Sequence, residues 1–290
     1  MNKIEAKYIN ELHVAGIWRQ DLLSVIFNLR PCFRLEINDK NLTFLKRRLS
    51  GLNLKMTTYI YPPAQKLTAI IGKNKLILDQ AKNIDLSFSG YHRIFKMGKI
   101  LGYPECCINE FIKEFIARQN LPLFSLKNCI RKDKLDFKLN YLYSFETRVL
   151  AHPSTELNKL NRLDYLGWNK YLIPHIPCSF ECRTSKKYAQ KPFSIIKKYS
   201  PNYVQELKFY LKNPILFIND YEFIIFKGRV NNNSIIYKKI INPNNLTKKP
   251  FLNMVNRGNQ IVINNGNIQV FKNNVLLKTF KKGAILFNFK

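Results

Sequence analysis

The sequence predicts an α+β protein in three stretches: a small α/β N-terminal layer over residues 1–87, a helical, cysteine-bearing centre over 88–212, and a basic β-rich C-terminal domain over 213–290. Three observations predict it. The first stretch mixes short helical patterns with β-branched runs. The second carries apolar residues at four-residue spacing. The third holds short apolar runs separated by Asn- and Gly-rich turns.

In the first stretch, Asp21 to Leu29 reads as an apolar helix stopped before Pro31, and Phe33 to Ile37 alternates as a strand does. Asn41 to Leu52 has helical spacing through Leu42, Leu45 and Leu49, with Gly51 as a stop. Lys55 to Tyr61 and Leu67 to Ile71 read as two strands around Pro62-Pro63, and Leu76 to Asn83 as a helix.

The centre opens with a helix over Gly90 to Leu101, followed across Gly102-Tyr103-Pro104 by a second from Pro104 to about Gln119. Pro is favourable at the first helical position because its missing N–H would have no partner there. The columns Cys107, Phe111, Phe115 and Ile108, Ile112, Ile116 put Cys107 on the buried stripe and turn Cys106 toward the polar face. Further helices are expected over Tyr141 to Ala151, Thr155 to Trp168, and from an N-cap at Ser179 through Tyr188 or Ala189.

The last stretch reads as strands at Ile215 to Ile218, Tyr221 to Lys227, Ser234 to Ile241, Gln260 to Asn264, Asn267 to Lys272 and Val275 to Phe280. Asn264-Asn265-Gly266-Asn267 is a hairpin signal, because both central residues of the favoured two-residue turn need a positive φ.

Composition narrows the function classes. The 290 residues contain 46% hydrophobic side chains, including 21 Phe, enough to fill a core and to exclude wholesale disorder. No window reaches the roughly 18 uninterrupted apolar residues of a membrane span. The start, with Lys3, Glu5, Lys7 and Glu11, lacks the apolar segment of a secretory signal, so a soluble, cytoplasmic protein with no membrane partner is expected. A net charge of +29 has two readings. Lys- and Asn-rich drift of composition is one. The other is attraction of a polyanion, supported by the absence of Asp and Glu after Glu222, and it allows an anionic substrate or RNA as a partner.

Six cysteines are too few for a disulfide scaffold, and four of them fall into two blocks. Leu101-Gly-Tyr-Pro-Glu-Cys-Cys107 and His175-Ile-Pro-Cys-Ser-Phe-Glu-Cys182 both place thiols at an expected helix start. There, unpaired N–H groups and the helix dipole stabilise a thiolate, the form that binds metal or attacks an electrophile. Cys106, Cys107, Cys178 and Cys182, with His175 nearby, form a candidate metal-ligand set. The spacing differs from the paired Cys-x-x-Cys of common zinc modules. Adjacent side chains also diverge, so an iron–sulfur cluster, which separates its ligand positions, is expected ahead of zinc. Metal-free thiol chemistry with Cys106 attacking, and simple packing of the thiols, stay open.

These two blocks resemble the family catalogued as domain of unknown function 483. The matching positions are Gly102, Tyr103, Pro104, Cys106, Cys107 and Phe111, then His175, Pro177, Cys178, Ser179, Cys182 and Ser185. The resemblance implies that both blocks belong to one site and implies no activity.

Glu105 and Glu181, each directly before a site cysteine, are candidate acid–base groups or partners of the ligands, or else favourable charges at helix starts. His92 is a further candidate on the helix before the Cys pair. His13 and His152 carry no partner in sequence. The lysines from Lys186 to Lys198, interleaved with Tyr188, Phe193 and Tyr199, read as a solvated helix face or as a guide for an anion or RNA. The expected function is a metal-binding protein, iron–sulfur or zinc, acting as an enzyme of unknown substrate. The alternatives are a basic RNA-binding protein with a structural zinc, and a metal-free thiol redox or sulfur-transfer enzyme.

Overall fold

The computed structural model describes residues 19–37, 39–62, 65–118, 135–140, 171–199, 201–219, 222–243 and 249–290. The helices expected at 141–151 and 155–168, together with His13, Cys129 and His152, lie outside the described residues. Among the described residues, eight α-helices and ten strands in two antiparallel sheets make the protein α+β with a β-rich C-terminal part, as the residue patterns predict.

The smaller sheet has the order β1-β3-β2, with β1 Cys32–Glu36, β2 Lys55–Tyr61 and β3 Lys66–Gly72. Successive side chains of a strand point to opposite faces, and both faces of central β3 are covered. Ala69 and Ile71 pack with Leu22, Val25 and Leu45 from helices α1 (Arg19–Ile26) and α2 (Asp39–Ser50). Ile70 packs on the other face with Leu78 of α3 (Lys75–Ser87), Met97 of α4 (Gly90–Ile100) and Leu101 at the cap of α4. Asn74 caps α3 by accepting the Leu76 N–H at 3.0 Å.

Helix α5 (Glu105–Arg118) packs closely on α4, because Gly98 presents no Cβ where Ile108 needs the space. Helices α6 (Arg183–Tyr199) and α7 (Pro201–Leu211) then lead into the larger sheet. That sheet has the order β10-β4-β5-β6-β7-β8-β9. Its strands are β4 Ile215–Asn219, β5 Glu222–Asn231, β6 Ser234–Pro243, β7 Gln260–Asn264, β8 Asn267–Lys272, β9 Val275–Phe280 and β10 Ile285–Phe287. Alternation again divides the side chains. Ile215, Phe217, Phe223 and Ile225 join one cluster with Ala189, Ile196, Leu207 and Leu211 of α6 and α7. Leu216, Ile224 and Phe226 face Phe251 and Val255 of α8 (Lys249–Arg257).

The Asn runs are turn chemistry. Asn265 and Gly266 have φ of 45° and 73° in the expected hairpin, and Asn273 and Asn274 have φ of 50° and 66° between β8 and β9. The structure also adds what the sequence reading lacked: α7, α8 and β10, and a continuation of α6 to Tyr199 through a buried Pro192. No helix of the described residues is long and apolar enough to cross a membrane.

Candidate metal centre

The first cysteine block is built by a helix stop followed at once by a helix start. The Tyr103 N–H donates to the Gly98 carbonyl (2.9 Å) and the Gly102 N–H to the Lys99 carbonyl (3.0 Å), the Schellman pattern that closes α4. Gly102 takes the left-handed conformation this needs, with φ of 76°. A Cβ there would also stand 3.0 Å from the Arg30 Cβ and 3.2 Å from the Pro31 Cδ. The Pro104 carbonyl accepts the first bond of α5 from the Ile108 N–H, so Pro104, expected as the first helical residue, stands at the cap and the helix starts one residue later, at Glu105. Cys106 and Cys107 are thus the second and third residues of α5, the former exposed and the latter buried.

The second block differs from its expectation. Ser179 does not cap α6; its hydroxyl accepts the Glu181 N–H and its carbonyl the Cys182 N–H, closing a tight turn over 179–182. The cap is Cys182, whose carbonyl accepts the Lys186 N–H at 2.9 Å and whose Sγ accepts the Ser185 N–H at 3.4 Å. A sulfur holds the place usually taken by a hydroxyl or carboxylate oxygen. Between the two thiols, Phe180 turns inward against Phe287 and Phe289, with ring centroids 5.9 and 5.3 Å away, and ties this turn to the end of the larger sheet.

The four thiols converge. Cys106 Sγ lies 3.9 Å from Cys107 Sγ and 3.7 Å from Cys182 Sγ, and Cys107 Sγ lies 3.7 Å from Cys182 Sγ. With Cys178 included, all four sulfurs lie within 4.8 Å of one another, an arrangement compatible with holding a metal ion. The adjacent pair, whose side chains were expected to diverge, both reach this point.

Hydrogen bonds set the charge on the sulfurs. Burial pushes the Cys107 thiol far above its ordinary value, although its sulfur receives the Cys178 N–H (3.3 Å) and lies 3.2 Å from the Ser185 hydroxyl. Burial pushes Cys178 up to about 12, and hydrogen bonding to Cys182 adds to the rise. At Cys182 burial also raises the value, but bonds from the Ser185 hydroxyl and N–H, and from Cys178 and Cys107, outweigh it and bring the thiol down to about 7. Hydrogen bonding thus favours the thiolate at Cys182 while burial favours the thiol at Cys107 and Cys178, and a bound cation would favour the thiolate at each of its ligands.

His175 is buried but is not among the four converging ligand atoms. Its Nε2 stands 2.8 Å from the Ser185 Oγ, and its ring lies between those of Tyr103 and Tyr188. Burial, helped by the charge of Arg30, lowers its pKa to about 3, so the ring is neutral and orients the hydroxyl that touches Cys107. Ser185, fully buried, is the contact residue that reasoning from metal-ligand types passed over. Arg30 is a second such residue. Buried against the Gly102 turn, it pairs with Asp21 at 2.6 Å, and burial raises the Asp21 carboxyl.

The remaining candidates stand apart from the sulfurs. Glu105 is exposed and pairs with Lys99 at 2.6 Å. Glu181 is exposed on the tight turn, and His92 is exposed with its ring against Tyr91. Cys32 is buried in β1 and donates to the Ile100 carbonyl. Tyr188, Phe193 and Tyr199 pack against the core, while Lys187, Lys197 and Lys198 face solvent. No family model matches the chain, and neither does any curated protein or any solved structure.

Proposed function

We propose that this is a zinc-binding protein in which one ion, held by Cys106, Cys107, Cys178 and Cys182, clamps the start of α5 to the start of α6. The observation that carries the reading is the sulfur spacing. Four sulfurs at about 2.3 Å from a tetrahedral zinc stand about 3.8 Å apart; here the three separations among Cys106, Cys107 and Cys182 are 3.7 to 3.9 Å, and Cys178 brings the set to within 4.8 Å. Each iron of a cluster takes its own thiolates on its outer side, so a multi-iron cluster spreads its ligands further than one ion does. The spacing therefore favours zinc over the cluster expected from the adjacent cysteines. Four protein ligands leave no open position on the ion, which gives it a structural part, and free thiolates for it imply a reducing, intracellular setting. Kinship with the resembled family belongs to this proposal and rests on the two motif blocks alone.

Anaerobic purification with elemental analysis and an absorbance spectrum tests it. One zinc per chain in colourless protein, lost in Cys178→Ala, is the expected result. A brown protein with iron and sulfide replaces zinc by a cluster. A second reading has its own observation: Cys182, the thiol lowered to about 7, lies 3.7 Å from exposed Cys106, a pair suited to thiol–disulfide exchange. Metal-free protein in which Cys106 is alkylated readily and joins Cys182 on oxidation would establish that reading and end the zinc one.

A further inference from the structure

A cavity of about 220 Å³ lies beside the metal centre, walled by α4, α5 and the Pro174–Ile176 segment. Most of its wall is apolar, from Ile94, Met97, Ile108 and Phe111. Arg93 of α4 and Leu101 at its C-cap both line it, and eight residue steps along a helix span about 12 Å, so the cavity follows the helix for roughly two turns. Two polar groups share the wall. One is Cys107 with His175, linked through Ser185. The other is Arg34 and Arg93 around Asp85.

The second group has the construction of an anion site. Asp85 is buried, accepts the Tyr59 hydroxyl, and pairs with Arg34 Nε at 2.7 Å and Arg93 Nη1 at 3.0 Å. Both guanidiniums also stand over the Tyr61 ring, 5.0 and 5.1 Å from its centroid. Their planes are thus fixed before any ligand arrives. Each guanidinium has five N–H groups; Asp85 takes one from each and Tyr59 shares a further bond with Arg34, which leaves N–H donors on both, most on Arg93, of the kind that pair with a carboxylate. The three charges sum to +1, which suits a monoanion better than a phosphate dianion. An apolar pocket with a few convergent polar groups is the usual form of a small-molecule site. The size sets the ligand: a cavity of about 150 Å³ accepts benzene, so this one takes roughly nine non-hydrogen atoms.

We propose that this cavity binds a small organic monocarboxylate, its carboxylate on Arg34 and Arg93 and its apolar body along Met97, Ile108 and Phe111. The ligand thereby shares a cavity with Cys107 and His175. This deepens the metal-centre reading and rests on it for the placement of that wall.

Calorimetric titration of the full chain with benzoate, phenylacetate and hexanoate tests it, with metal content measured on the same sample. Saturable binding of at least one carboxylate at one per chain is expected, without binding of its neutral amide and without competition by inorganic phosphate. Affinity should fall by roughly tenfold or more in Arg93→Met, which removes a fork, and in Ile94→Trp, which fills the cavity and keeps both arginines. No binding of any of the three acids, equal binding of the amide, or unchanged affinity in both variants overturns the proposal. Binding to wild-type protein that proves metal-free ends the zinc reading and leaves the carboxylate site standing. Zinc-loaded protein that binds none of the acids ends the carboxylate site alone.

Discussion

The cysteine centre and the larger sheet share one hydrophobic cluster, through Phe180 against Phe287 and Phe289, yet they are held in opposite ways. In the sheet, Phe217, Phe223, Ile224 and Phe226 are buried on one face or the other, and burial of apolar area is sufficient cause for the packing. At the centre, four sulfurs crowd within 4.8 Å, and their neighbours are a hydroxyl, an imidazole and backbone N–H groups. The chemistry of the two differs accordingly: thiols respond to metal, oxidant and proton, whereas apolar packing does not.

The largest test of that contrast is Cys182→Ala. Metal is expected to fall from one ion per chain to near zero, with faster amide exchange at the starts of α5 and α6 and continued protection in β5 and β6. Structural zinc is worth on the order of 10 kcal/mol in small zinc modules, so the local effect is large. If β5 and β6 lose protection together with α5, the two regions are one cooperative unit and the contrast breaks. The converse variant, Phe226→Ala, removes a fully buried ring that faces α8 and should cost about 3–5 kcal/mol by denaturant titration with metal content unchanged.

Protons should separate the regions next. The folded chain holds His175 neutral down to about 3, below its ordinary 6.5, so the unfolded chain binds the extra proton as the solution is acidified. The stability from this group is fully present above pH 6.5 and is lost as pH falls toward 3, at about 1.4 kcal/mol per pH unit. Unfolding titrations of wild type and His175→Gln should therefore differ by one proton in slope over that window, and equal slopes would remove the buried neutral imidazole from the account. The smallest expected effect is Gly102→Ala, about 1–2 kcal/mol for a non-glycine residue at φ of 76°. Because this turn positions the first block, metal affinity should fall along with stability; a loss of stability alone would detach the turn from the site.

Much of the fold was legible because its signals are local. Alternation marked β1 to β9 within a few residues, and Asn265-Gly266 marked a hairpin by the φ values it permits. The helix α7 carried a readable signal in Tyr203, Val204, Leu207 and Leu211, all buried on one stripe, and was masked by its closeness to the Lys-rich end of α6. The nine residues of α8 sit in Asn-rich sequence and are helical because Phe251 and Val255 pack on the sheet. The three residues of β10 are too few for a pattern and form a strand by pairing with β4. The cap of α6 was misplaced for a related reason. Ser179 and Cys182 both offer a side-chain acceptor, and the fold spends the serine on the turn that brings Cys178 to Cys107.

The sequence by itself determined the α+β class, the gathering of four cysteines into two blocks, the first of them at a helix start, and the Gly-Tyr-Pro link. Each is governed by neighbours in the chain: side-chain periodicity, helix dipoles, and a glycine able to take positive φ. Only the tertiary structure decided that sulfurs 75 and 76 residues apart stand 3.7 Å from one another, that His175 turns to Ser185 and not to the sulfurs, and that Arg34, Tyr59 and Arg93 close on Asp85. Distances between groups far apart in the chain are set by how whole layers pack, and no local pattern encodes them.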